Sequence, residues 1–287
     1  MRMTKIHPIT YILYYAILII FAFLFTNPYY SLTFAICILT LIRIQGIQKE
    51  FKGTIKGFIM MGVVIAIINP LTSHQGVTRL YIWNNYFITL ESIVYGLILA
   101  FALILILLTF TSFNKAVSYQ DLLYIFSKKF PTASIIIIMA LRFIPFLNYR
   151  LEEINKLQDF EKENSDKKGF INKINNVSNS LIVMISWTLE ESMITAKSMK
   201  ARGYKTTKRT SYLIYKINRI DKIFISFIII TAILAILGLI YGDGRINIYP
   251  TIRFSFNHFP LDIYYFSFLF LLLPLIYLEI KEEMIWH

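Results

Sequence analysis

Glu190 and Glu191 are adjacent carboxylates, a pairing that general acid and base catalysis can use, but neighbouring helical side chains diverge by about 100° and seldom share one reacting atom. His7, His74, His258 and His287 are scattered with no His-x-x-x-His pair, which leaves a zinc site without a scaffold. Cys37 is the only cysteine and sits in an apolar stretch, so neither a disulfide framework nor a thiolate cluster can be built. Neither a Gly-x-Ser-x-Gly elbow nor a Gly-x-x-x-x-Gly-Lys-Ser/Thr phosphate loop occurs. The chain is therefore expected to catalyse nothing by itself, ATP hydrolysis included, and to need no metal or other cofactor. The residues best suited to work on another molecule are Ala201-Arg202-Gly203. Ala201 lets a partner backbone approach, Gly203 tolerates the left-handed conformation that ends a helix, and Arg202 between them can fork onto a carboxylate or meet carbonyl oxygens in a groove. The plainer alternative is an arginine that favours the negative end of a helix in water.

The helix that must carry this tip is expected from about Asn175 to Arg202. Leu181, Ile185, Leu189, Met193, Ala196 and Met199 recur at steps of three or four and form one apolar stripe, with Glu190, Lys197 and Lys200 off it. Ahead of it, Tyr119–Lys129 reads as a short amphipathic helix closed by Pro131, and about 133–163 as a second. That second helix begins apolar and ends in Arg150, Glu152, Glu153, Lys156, Glu161, Lys162 and Glu163, a solvated surface of paired charges. Lys167-Lys168-Gly169 breaks the chain before the third.

Outside this segment the composition is that of a membrane protein. Of 287 residues, 56% are hydrophobic and only 16% charged, against roughly 25% charged in soluble domains. Six spans fit, at about 9–26, 29–45, 57–71, 88–112, 222–241 and 261–279, against a hydrocarbon layer about 30 Å thick. Six spans put both termini on one side. Arg2, Lys5, Arg43, Lys49, Lys52, Lys56, Lys281 and the basic residues from Lys115 to Lys222 mark that side as cytosolic, leaving Arg79, Arg245 and Arg253 opposite. The 110 residues from Phe113 to Lys222 hold 19 Lys or Arg against 10 Asp or Glu. Ala133–Phe146 is apolar but short, and a crossing there would reverse the charge bias, so it is expected to lie along the cytosolic surface. Asn69-Pro70 to Gly76 reads as a turn, Tyr81, Trp83, Tyr86 and Phe87 as an interfacial aromatic belt, and Glu91 as an interfacial residue. Gly53 and Gly57 form a small-x-x-x-small pair, but among lysines at a helix start it carries little weight.

The fold expected is all-α and polytopic, about six membrane helices plus long amphipathic cytosolic helices. Residues 1–112 form an N-terminal membrane domain of four spans, 113–221 a cytosolic coupling domain, and 222–287 a C-terminal membrane domain of two.

In order and spacing, several motifs resemble the transmembrane T component of energy-coupling factor (ECF) transporters, the EcfT or CbiQ-like family. They are Asn69-Pro70-Leu71, Glu91-Ser92 with Tyr95-Gly96-Leu97, Ala140-Leu141-Arg142-Phe143-Ile144-Pro145, and Met199-Lys200-Ala201-Arg202-Gly203-Tyr204 with Arg209-Thr210. The resemblance implies a scaffold in a bacterial cytoplasmic membrane joining two cytosolic ABC-type ATPases to a small substrate-binding S component that captures a vitamin or metal ion. In that family two Ala-Arg-Gly motifs end the coupling helices, each arginine entering a groove on one ATPase. Here the second motif, Ala201-Arg202-Gly203, is intact. Where the first is expected, after Arg142, Pro145 and Glu152, the chain reads Lys156-Leu157-Gln158-Asp159-Phe160-Glu161. Gln158 matches, whereas Asp159 and Glu161 stand in a tripeptide without arginine, so the two ATPase contacts are expected to be chemically unequal.

A stand-alone secondary carrier or channel is the main alternative, yet such proteins place ionisable groups at mid-membrane, and only Glu91 comes near. A nucleic-acid partner is not expected, because ten acidic residues interleave the basic segment and its apolar stripes need a protein or lipid face.

Overall fold

The computed structural model describes residues 7–73, 76–83, 86–163, 170–206, 217–242, 244–246, 248 and 263–286. His74, His258, His287, Lys167-Lys168-Gly169, Arg209-Thr210 and Arg253 lie outside them. The described residues form helices α1 (Pro8–Leu24), α2 (Pro28–Ile44), α3 (Gln48–Thr72), α4 (Leu90–Ala116), α5 (Tyr119–Lys129), α6 (Pro131–Glu163), α7 (Phe170–Ala201), α8 (Arg219–Ile240) and α9 (Ile263–Trp286). The exception is a two-stranded antiparallel hairpin, β1 (Arg79–Trp83) with β2 (Tyr86–Thr89), which pairs Trp83 with Tyr86 where the sequence suggested only loop and aromatic belt.

Local chemistry starts the first two helices alike. His7 Nδ1 accepts the Ile9 N–H at 3.2 Å and Asn27 Oδ1 accepts the Tyr29 N–H at 3.2 Å, while Pro8 and Pro28 take the first helical position, where no N–H is needed.

Four helical stretches among the described residues are long and apolar enough to cross a membrane: Gly53–Thr72, Leu90–Ala116, Pro131–Ile154 and Arg219–Ile240. Pro8–Leu24, Pro28–Ile44 and Ile263–Pro274 are shorter apolar helices. Seventeen residues extend about 25 Å, slightly less than the hydrocarbon layer. The Pro131–Ile154 stretch departs from the sequence reading, which stopped the apolar run at Phe146. Helix α6 continues unbroken past Pro145, and that continuity lengthens it.

The chain divides into two compact units, residues 1–122 with 215–287, and residues 123–214. This boundary differs from the expected 113–221 segment at both ends. Ala116 and Val117, at the end of α4, are buried in the first unit, and so is Asp221. The Asp221 carboxylate receives the backbone N–H of His7 at 2.9 Å and that of Asn218 at 2.8 Å, fastening the start of α8 to the start of α1. Instead of two separate membrane domains, the helices before and after the central segment share one core.

That core is aromatic. Phe268 of α9 lies 4.9 Å from Phe25, 5.2 Å from Tyr30, 6.3 Å from Phe34 and 6.4 Å from Phe21, measured between ring centroids. Tyr14 Oη donates to the Leu271 carbonyl at 2.7 Å, in the turn just before Pro274. A polar chain ties four helices: Tyr15 Oη and Ser112 Oγ are 2.8 Å apart, Ser112 donates to Gln45 Oε1 at 2.9 Å, and Gln45 Nε2 donates to Glu279 Oε1 at 3.0 Å.

Helices α3 and α4 approach through small residues. A Cβ added at Gly96 would stand 3.1 Å from the Ala66 carbonyl oxygen and 3.2 Å from Asn69 Cβ, and one added at Gly62 would stand 3.0 Å from Ile104 Cδ1. The working small-residue surfaces are therefore Gly62 with Ala66 and Gly96 with Ala100, whereas Gly53 and Gly57 face open space.

Candidate functional site

Helix α7 ends as its residues require. The Gly203 N–H reaches the Lys200 carbonyl at 3.1 Å and the Tyr204 N–H reaches back to the Met199 carbonyl at 3.0 Å, the paired bonds of a Schellman closure, with Gly203 at φ +79°. A second tight turn follows, in which the Thr206 N–H and Oγ1 both bond the Gly203 carbonyl, at 3.1 and 2.7 Å. Lys205 within it holds φ +71°, the one non-glycine described residue with positive φ. Ala201 and Arg202 are exposed at this tip, Met199 is half-buried and Gly203 only partly exposed. Two successive backbone turns thus brace the segment that displays Arg202.

The remaining predicted residues lie along α6. Arg142, Pro145 and Glu152 are exposed on it, and the backbones of Gln158, Asp159 and Glu161 continue the same helix towards Glu163. The side chains of Gln158, Asp159 and Glu161 lie outside the described residues.

Between α6 and α7 the structure adds a contact that sequence reading missed. The Arg150 guanidinium carbon lies 4.8 Å from the centroid of the Trp187 ring of α7 and 5.3 Å from that of the Phe146 ring of its own helix, while its Nη1 meets Glu153 Oε2 at 2.7 Å. The i, i+3 spacing of Arg150 and Glu153 signalled the ion pair, but nothing local signalled Trp187.

This unit carries an unusual surface. Among its described residues only Ser134, Ile154 and Ser180 are buried, and the expected α7 stripe is open: Leu189 is 60% and Met193 61% exposed. Ile136 and Ile144 of α6 are likewise more than half exposed.

The motifs around α3 and α4 also come together. Asn69 Nδ2 donates to the Ser92 carbonyl at 2.8 Å, and Gly96 lies against the same turn of α3. Glu91 is buried within the protein, with 2% of its surface exposed. Its carboxylate accepts the Thr78 N–H at 3.2 Å and the Thr78 hydroxyl at 2.7 Å, so it staples the segment leading into β1 onto the first turn of α4. A buried carboxylate satisfied in this way has a place in holding the fold together.

A protein-family model described as CbiQ, cobalt transport protein, matches residues 3–212, more than two thirds of the chain. No curated protein matches it.

Proposed function

Because the chain belongs to the CbiQ family of cobalt transport proteins, the family of the T components of ECF transporters, we propose that it is the membrane coupling subunit of an ECF-type ABC importer. In this reading two cytosolic ABC-type ATPases bind the central segment, a small S component captures the cargo, and ATP-driven closure of the ATPase pair is carried through the helices to the S component. The chain binds and transmits, and the hydrolysis belongs to the ATPases. The cargo is a vitamin or a metal ion, and the family description favours the ion. The positive-inside distribution of charge supports cytosolic termini and a cytosolic central unit in a bacterial cytoplasmic membrane.

One observation carries this reading: Arg202 stands exposed on a tip closed by Gly203 and the Thr206 turn, at the end of a helix whose apolar stripe is uncovered. A solvated arginine needs no such bracing, whereas a side chain that must enter a groove gains from having its backbone fixed beforehand. The open stripe likewise fits a segment that completes its burial against other subunits.

The test is co-purification of the ATPase subunits with the full chain in detergent. Arg202→Glu should weaken their retention by about 2–5 kcal/mol, roughly thirtyfold or more, because it removes the cation from a groove that stays in place and adds a repelling charge. Membrane insertion should be unaffected. Undiminished retention by an inserted Arg202→Glu chain would sink the proposal.

A further inference from the structure

We propose that Arg150 is the positioning residue of the α6–α7 pair, clamping α6 to α7 through Trp187 so that displacement at the Ala201-Arg202-Gly203 tip moves both helices together. The inference rests on the coupling function proposed above but concerns a residue outside the docking motif.

The starting point is how little else packs this unit. Only Ser134, Ile154 and Ser180 are buried among its described residues, so apolar burial contributes little to setting the register of α6 on α7. Arg150 is a direct side-chain tie between them. Its guanidinium carbon lies 4.8 Å from the Trp187 ring centroid on α7 and 5.3 Å from that of Phe146 on α6, and Glu153 pins one nitrogen at 2.7 Å. The ion pair with Glu153 anchors the arginine to its own helix and aims its planar head across the gap. Contact with α7 is then made by a cation on a ring face.

The choice of contact has mechanical consequences. A forked hydrogen bond tolerates little displacement, while a planar cation can shift over an indole face and remain attracted, within about 6 Å of the ring centroid. Arg150 Nε is buried and has no hydrogen-bond partner, so the head is held here by the two rings and by Glu153 instead of a full set of donors. Such a tie holds two helices together during motion without locking them in one position. From Trp187 to Ala201 the helix runs 14 residues, about 21 Å, so movement at the tip reaches the tie along a stiff rod.

The experiment uses the full chain co-expressed with its ATPase subunits. Cys37 is replaced by Ala, and spin labels are placed at the exposed positions Ile138 on α6 and Ile194 on α7. The parent complex should show one narrow label-to-label distance distribution that keeps its centre and width on adding ATP with vanadate. Arg150→Met keeps an unbranched apolar stem but loses the guanidinium and its charge. It should retain the ATPases, broaden the distribution about twofold or more, and let its centre move when nucleotide is added. Arg150→Lys, which keeps a cation over the indole, should restore most of the narrowness, a rescue that a purely space-filling role would not produce.

Trp187→Leu should reproduce the Arg150→Met result and Trp187→Phe should resemble the parent, which supplies a second line should one variant fail to fold. A distribution as narrow as the parent's in either Arg150→Met or Trp187→Leu overturns the proposal. Loss of the coupling function itself would appear elsewhere, as ATPase retention indifferent to Arg202→Glu.

Discussion

The two units of this protein differ in how much apolar core each encloses. In the unit formed by residues 1–122 and 215–287, rings are packed on rings, and Phe268, Phe34 and Tyr15 are almost wholly enclosed. In the unit formed by residues 123–214, Leu181, Ile185, Leu189 and Met193 lie half or more exposed along one helix. The first encloses an aromatic core of its own, while outward residues such as Met60 at 70% and Ile240 at 73% exposed form the apolar outer face expected of membrane helices. The second encloses few side chains and leaves an apolar stripe open, which under the proposed function is the surface its partners would cover.

This contrast can be broken most forcefully at the aromatic core. Phe268→Ala removes the ring shared by Phe21, Phe25, Tyr30 and Phe34 and should cost about 3–5 kcal/mol, read as a lowered melting temperature of the detergent-solubilised chain. A small shift there would mean that the first unit, too, depends on partners. Next in size, Gly96→Val should cost about 1–3 kcal/mol by pushing α4 from Ala66 and Asn69, and thermal unfolding again measures it.

Gly203→Ala sharpens the comparison at the tip. The positive φ disfavours any Cβ, and one added here would stand 3.0 Å from Thr206 Oγ1, so the closure should weaken by about 1 kcal/mol. Melting of the isolated chain should change little, while ATPase retention should drop severalfold, because the tip and not the core is disturbed. The smallest effect on the isolated chain belongs to Leu189→Ala, expected to change its stability by less than about 0.5 kcal/mol, since the side chain is already 60% exposed. In the assembled complex the same change should cost more. Equal effects in both states would remove the reason to treat the open stripe as a docking face.

Much of this division was legible in the chain, for identifiable reasons. Arg202 at a helix tip followed from Gly203, and the limits of α5 and the start of α6 followed from Pro131, because stop signals act within a turn, whereas α7 begins at Phe170, ahead of the expected Asn175. Glu91 shows the opposite case. At the start of an apolar helix it resembles any interfacial carboxylate, and only the fold of residues 76–78 over it, with Thr78 as donor, makes it an internal staple. The hairpin before it escaped notice because its aromatic residues suit a membrane interface as well as a strand.

Hydropathy, charge asymmetry and helix-ending signals, all properties of short stretches, by themselves determined that this is a helical membrane protein with a basic, amphipathic central segment. Tertiary structure alone decided that Asp221 belongs with the first unit, that Gly62 and Gly96 rather than Gly53 and Gly57 admit a neighbouring helix, and that Arg150 meets Trp187. The physical reason is distance along the chain. The Asp221 carboxylate finds the His7 N–H across 214 residues, and no local pattern encodes which of many donors a folded chain will bring to an acceptor.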